Sequence, residues 1–243
     1  MFAKAAIFAG FAAATCAGAM VAAQAAVAQP GATARSYRVG PFDTVASVGP
    51  NVVIVHLGGA PAVTAQGPAA TLDKMEVVVE HGDLQIRPKR QFRDHFDWRG
   101  VEPATFTVTA PRLEGATLAG SGDMRVDRAE GDRFKATVAG SGDLAIGSLR
   151  VSRASLVMAG SGGLTARGSA SQADVSVAGS GTVHASGVVS RTASVAIAGS
   201  GAAELTAQDT ANVSIIGSGN ATITGRAHCT VTRIGTGHLR CGN

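Results

Sequence analysis

A Gly-Ser-Gly triplet returns at Gly120, Gly140, Gly160, Gly179, Gly199 and Gly217, with a Gly-Thr-Gly variant at Gly235. The intervals are 20, 20, 19, 20, 18 and 18 residues. A period of that length held through seven copies marks a solenoid, in which each unit buries its apolar side only against its neighbours. The side chains between triplets say which kind. Leu118, Val138, Met158, Val177, Ile197 and Ile215 stand two positions before a triplet, and Ala116, Ala136, Leu156, Val175, Val195, Val213 and Val231 stand four before. The residues between them, such as Thr117, Thr137, Ser176 and Ser214, are mostly small or polar. This is period-two alternation, a strand with one buried face. A second apolar column opens after the triplet at Met124, Leu144, Leu164, Val183 and Leu239.

Stacking such units pairs each strand with its equivalent one coil on, about 4.8 Å away. Glycine recurs because each coil turns a corner that a Cβ would obstruct, and the intervening serines would bring hydroxyls into a column. The pattern predicts an all-β chain, a single-stranded parallel β-helix with 18–20 residues per coil, expected to be right-handed. Gly120, Gly140, Gly160, Gly179, Gly199, Gly217 and Gly235 would form its turn ladder. The composition agrees: 32 glycines and 45 % hydrophobic residues but only 4 % aromatic describe a core of small and branched side chains. Disorder is excluded by that apolar content and the low net charge, and collagen by the absence of a three-residue glycine period.

Residues 1–28 read as a signal peptide: Lys4, a long uncharged Ala-rich run, and the small-residue cleavage pattern Ala26-Val27-Ala28. The competing reading is a retained anchor, since the run is long enough to cross a bilayer. Cleavage would leave no transmembrane span, a short tail over 29–35, and a β-helix domain over 36–243. Within that domain, 36–113 would form irregular coils and an N-terminal cap, and 114–243 the regular repeats. Asn51–Leu57, Met75–Glu80, Leu84–Arg87 and Thr105–Ala110 are the strand-like runs of the irregular part. Export places the protein in the periplasm, on the outer-membrane surface or outside the cell. It also favours a disulfide between Cys229 and Cys241. A metal site using His228, Cys229, His238 and Cys241 is the alternative, although the spacing matches no standard zinc pattern.

The succession of a VVIV strand, "HGDLQIRPK", "FTVTAPRLEGATLAGSGDM" and repeated "VAGSGDL" units resembles the autotransporter-adhesin head, or GIN-domain, family across roughly residues 36–243. The resemblance implies an exported bacterial parallel β-helix with an adhesin-like role and carries no catalytic residues. Arg233 in place of an apolar residue, and Thr236 in place of serine, depart from the repeat and mark the last coil as an end cap.

The formal charge of +4 is mild and uneven. Arg87–Arg99 holds five basic and two acidic residues, so it alone carries +3. Nothing resembles the broad basic face that nucleic acid requires. The same segment carries Phe92, Phe96 and Trp98, three of the seven aromatic residues after position 28. Aromatic faces beside guanidinium groups grip sugars, anionic polymers or proteins, so Arg90, Arg93, Phe96, Trp98 and Arg99 are the candidate contact residues. The bland alternative is a loop that caps the solenoid.

An enzyme on the same scaffold needs clustered carboxylates. Asp123 and Asp143 would stack, but the next equivalents are Gly163, Thr182, Ala202, Asn220 and His238, so the acidic column stops after two. His56, His81, His95 and His184 show no partners at a readable spacing. The sequence therefore predicts no catalytic residues, no cofactor and no metal. It describes an exported, non-catalytic envelope module whose partner is a glycan or a protein. The alternative is a polysaccharide lyase or hydrolase. A flat Thr/Ser face that binds ice or another surface is a weaker idea, since the outward columns are irregular.

Overall fold

The computed structural model describes residues 32–93 and 101–242, and the expected signal peptide lies outside them. The strands are β1 (Ala32–Tyr37), β2 (Thr44–Val48), β3 (Val52–Leu57) and β4 (Ala62–Pro68), then helix α1 (Ala69–Lys74), β5 (Met75–Glu80), β6 (Asp83–Pro88) and helix α2 (Arg90–Arg93). They continue as β7 (Thr105–Ala110), β8 (Gly115–Gly120), β9 (Asp123–Gly140), β10 (Asp143–Gly160), β11 (Gly163–Gly179) and β12 (Thr182–Gly199). The last are β13 (Ala202–Gly217), β14 (Asn220–Gly225), β15 (His228–Gly235) and β16 (His238–Cys241).

From β8 onward every neighbour is parallel and one coil away. Asp123 faces Asp143, Leu156 faces both Ala136 and Val175, and each glycine that opens a triplet faces the next, from Gly120 to Gly235. The molecule is a parallel β-solenoid, as the repeat predicts. Along β10 the buried residues are Leu144 and Ile146, then Leu149 and Val151, then Ala154, Leu156 and Met158. The alternation slips twice, and the first slip coincides with a register break against β11 between Ile146 and Leu149. A long strand therefore bends twice within each coil, and the Gly-Ser-Gly triplet supplies the third corner.

Two constraints act on the triplet. Gly140 has φ +132°, a backbone region open mainly to glycine. A Cβ on it would also lie 2.3 Å from the Gly120 carbonyl oxygen, and one on Gly142 would lie 2.1 Å from that of Gly122. Backbone bonds join the corners: Ser141 N and Gly142 N both donate to the Gly120 carbonyl at 3.0 Å. Among the described residues the expected hydroxyl column is realised only at its end, where Thr236 Oγ1 donates to Ser218 Oγ at 3.1 Å. A serine hydroxyl at the other corners points to water, because the backbone has already satisfied the turn.

The corner ladder has an eighth member that the sequence hides. Gly49-Pro50-Asn51 occupies the triplet position beneath Gly120-Ser121-Gly122, with Gly122 N donating to Gly49 O and Asp123 N to Asn51 O. Asn51 is fully buried, and its Oδ1 accepts from Ala104 N at 3.3 Å. Where the coil shortens from 20 to 18 residues, the register shifts between Ala185 and Val189. Buried Ser190 donates to the Thr206 carbonyl there at 3.0 Å, and Thr206 donates to Ser186 O at 2.8 Å.

The N-terminal part departs from a simple stack of coils. β2, β3, β6 and β7 continue the parallel arrangement, but β1 runs antiparallel to β4, β4 to β7, and β5 to β6. β1 begins inside the stretch read from sequence as a short tail, and it forms the edge of the sheet. Helix α1 closes this end, with Leu72 fully buried and Thr71 Oγ1 donating to the Glu102 carbonyl at 3.0 Å.

Candidate functional site

The basic-aromatic segment emerges from β6 at the N-terminal part of the domain. Lys89 N donates to Lys74 O at 2.9 Å, tying the start of the segment to the end of α1, and Arg90 in α2 is exposed. Arg93 ends α2, while Phe96, Trp98 and Arg99 lie outside the described residues. Arg87 is not a free cation. Its guanidinium donates to Glu80 at 2.6 Å and to Glu76 at 2.8 Å, and those bonds hold it more firmly protonated against the opposing effect of burial. Part of the positive charge read from the sequence is thus neutralised across the β5–β6 hairpin.

Asp123 and Asp143 do stack, and Gly163, Thr182, Ala202, Asn220 and His238 follow them in register. Among the described residues no three His, Cys, Asp or Glu side chains converge. Cys229 and Cys241 are bridged, with their Cα atoms 6.5 Å apart. The bridge spans two inward-facing positions of the final coil, beneath which lie Ala211 and Ile223. That pairing occupies both sulfurs and leaves no thiolates for the alternative metal site.

The periodic stack also creates contacts that spacing alone did not suggest. His184 Nδ1 lies 3.3 Å from Glu204 Oε2, and Arg191 Nε lies 3.4 Å from Asp209 Oδ2. His56 stands 3.5 Å from Asp127, an ion pair when the ring is protonated. The first two pairs are 20 and 18 residues apart, one coil in each case, so the repeat period was the signal that could have found them.

Concavities on the described surface include two of different kinds. One is a shallow trough of about 190 Å³ on the outer face, where Gly115 interrupts the column formed by Thr44 and Lys135, with Asp83 and Glu114 at its rim. The other is the open C-terminal end, a hollow of about 620 Å³ lined by Cys229, Val231, Arg233, Leu239 and Cys241. Arg233 replaces the aliphatic residue of earlier coils and reaches across to donate to the Gly237 carbonyl at 3.1 Å. Among the described residues no helix is long and apolar enough to cross a membrane.

Over residues 41–227 the sequence matches the family described as putative auto-transporter adhesin, head GIN domain. The chain belongs to that family. Solved structures share the GIN-domain fold found here. A putative adhesin from Bacteroides fragilis aligns with TM-score 0.80 at 19 % identity, covering 87 % of this chain and 97 % of its own. A protein from Parabacteroides distasonis described as a putative lipid binding protein aligns with TM-score 0.67 at 19 % identity, covering 87 % and 96 %. A putative adhesin from the same organism aligns with TM-score 0.66 at 20 % identity, covering 86 % and 96 %. No functionally curated protein matches the sequence. At these identities the likeness is one of fold.

Proposed function

We propose that this GIN-domain chain is an exported, non-catalytic module of the bacterial cell envelope that engages a glycan or a protein. The observation that carries the reading is the register of the stack in a chain of the adhesin-head family. The inward columns and the glycine corner stay in register through the whole repeat, so the outer surface is a set of sheet faces, and recognition by such a surface relies on extended contact. The cations and aromatic residues Arg90, Arg93, Phe96, Trp98 and Arg99 supply the contact, since sugars and proteins are gripped by aromatic faces and guanidinium forks. The leader-like residues 1–28 support export. Purified protein is expected to bind envelope polysaccharides or intact cells, and Trp98→Ala or Arg93→Ala to weaken that binding at least tenfold, as hot-spot truncations do. Absence of binding to any of these, or binding indifferent to both changes, refutes the proposal. Turnover of an anionic polysaccharide that disappears with Asp123→Asn or Asp143→Asn would instead establish an enzyme.

A further inference from the structure

The two ends of the solenoid differ in what covers them. The N-terminal end is closed by α1 and by antiparallel β1 and β4, whereas among the described residues no strand lies beyond β15 and β16. The final coil also differs in charge. Residues 226–243 contain Arg226, Arg233 and Arg240 and no aspartate or glutamate. The carboxylates on β13, Glu204 and Asp209, face His184 and Arg191 rather than these arginines.

An independent observation concerns the outward column beside the glycine corner. It begins at Val48, runs through Ala119, Ala139, Ala159, Ala178 and Ala198, then changes to Ile216 and Ile234 in the last two coils. These isoleucines are 54 % and 66 % exposed, and Val231 on the open end is 49 % exposed. Exposed aliphatic groups also occur at Val48 and Val189, but Ile216, Val231 and Ile234 are the most exposed of the large aliphatic residues described, and all three lie at the arginine-rich end.

We propose that the C-terminal coil docks end-on against an anionic lipid bilayer. Arginines bind the anionic headgroups while their stems and the neighbouring aliphatic side chains enter the boundary of the acyl region, the combination that interfacial segments use. Charge alone suits any polyanion, but the aliphatic groups need an apolar phase. A second copy is a poor occupant, because two such ends would oppose six arginines with no aspartate or glutamate in either final coil. The unpaired backbone edge of β15 and β16 sets the depth. Free N–H and C=O groups do not enter hydrocarbon, so the coil stops among the headgroups and only side chains such as Val231 and Ile234 pass below.

Co-sedimentation of the full chain with phosphatidylcholine vesicles, with and without phosphatidylglycerol, tests this. Binding is expected only with the anionic lipid, and it should fall as salt rises. Arg226→Gln with Arg240→Gln should weaken it about thirtyfold, near fivefold for each arginine at an anionic surface. Ile216→Ser with Ile234→Ser should weaken it as well, while Arg150→Gln in the middle of the stack leaves it unchanged. Vesicles should slow amide exchange in residues 228–241. Equal binding to neutral vesicles, or indifference to the arginine pair as an apolar N-terminal segment would give, overturns the proposal. So does full retention of binding without the isoleucines, which would indicate a general polyanion site.

Discussion

Breaking the Cys229–Cys241 bridge should loosen one coil and leave the rest of the rod intact. The cysteines are 12 residues apart, and closing a loop of that size lowers unfolded-chain entropy by an amount worth about 3 kcal/mol. The location decides how this loss is distributed. Among the described residues β15 pairs only with β13, and β16 only with β14, so the terminal coil has a described neighbour on one side alone. In a solenoid, stability is approximately a sum of unit and nearest-neighbour contributions, and the terminal coil opens most easily. Cys229→Ser with Cys241→Ser, or reduction, should raise the opening of β15 and β16 about 150-fold. Amide exchange in residues 228–241 should quicken accordingly, while β10 and β11 exchange as before. An equal acceleration in every coil would refute the reasoning, because it would mean the stack opens as one unit. Unchanged exchange in the last coil would refute it too.

Other outcomes follow from single positions. Gly140→Ala should cost about 3 kcal/mol or more, through a left-handed backbone and a collision with the coil beneath. Gly131→Ala should cost only about 1 kcal/mol in thermal or denaturant unfolding, since Gly131 has φ +146° but nothing within 4 Å of a new Cβ. Leu156→Ala, at a fully buried position, should cost about 2–5 kcal/mol. Acid should slightly loosen β1. The Arg35 guanidinium bonded to Asp73 at 2.6 Å holds that carboxyl below its ordinary value of 3.8. A carboxyl depressed in the folded state stabilises fully above the ordinary value and loses its effect as pH falls through the folded one. Exchange in β1 should therefore rise below about pH 4, and Asp73→Asn should abolish that dependence.

The repeat was legible because glycine marks the same corner in every coil, and each inward column follows from the corner by counting. Counting fails where the corner is built from other residues: Gly49-Pro50-Asn51 makes the same turn, with a buried amide doing locally what a third glycine does elsewhere. The antiparallel strands β1 and β4 and the helix α1 were missed for a related reason. Their residues answer to the need to close an end, and a closure occurs once, so no period reveals it. The surface was less readable still. Arg87 is silenced by Glu76 and Glu80, partners set by a hairpin register. His184 gains Glu204 from the next coil. Of the expected contact residues, Arg90 is exposed, and Phe96, Trp98 and Arg99 fall outside the described residues.

Interchangeable coils make the reach of this molecule adjustable. Each interior winding meets its neighbours through the same corner and the same inward columns, so removing or duplicating one winding between two triplets leaves both termini chemically untouched. The distance between whatever the two extremities hold then changes in steps of about 4.8 Å. A solenoid graduated in this way changes its span without redesign of either end.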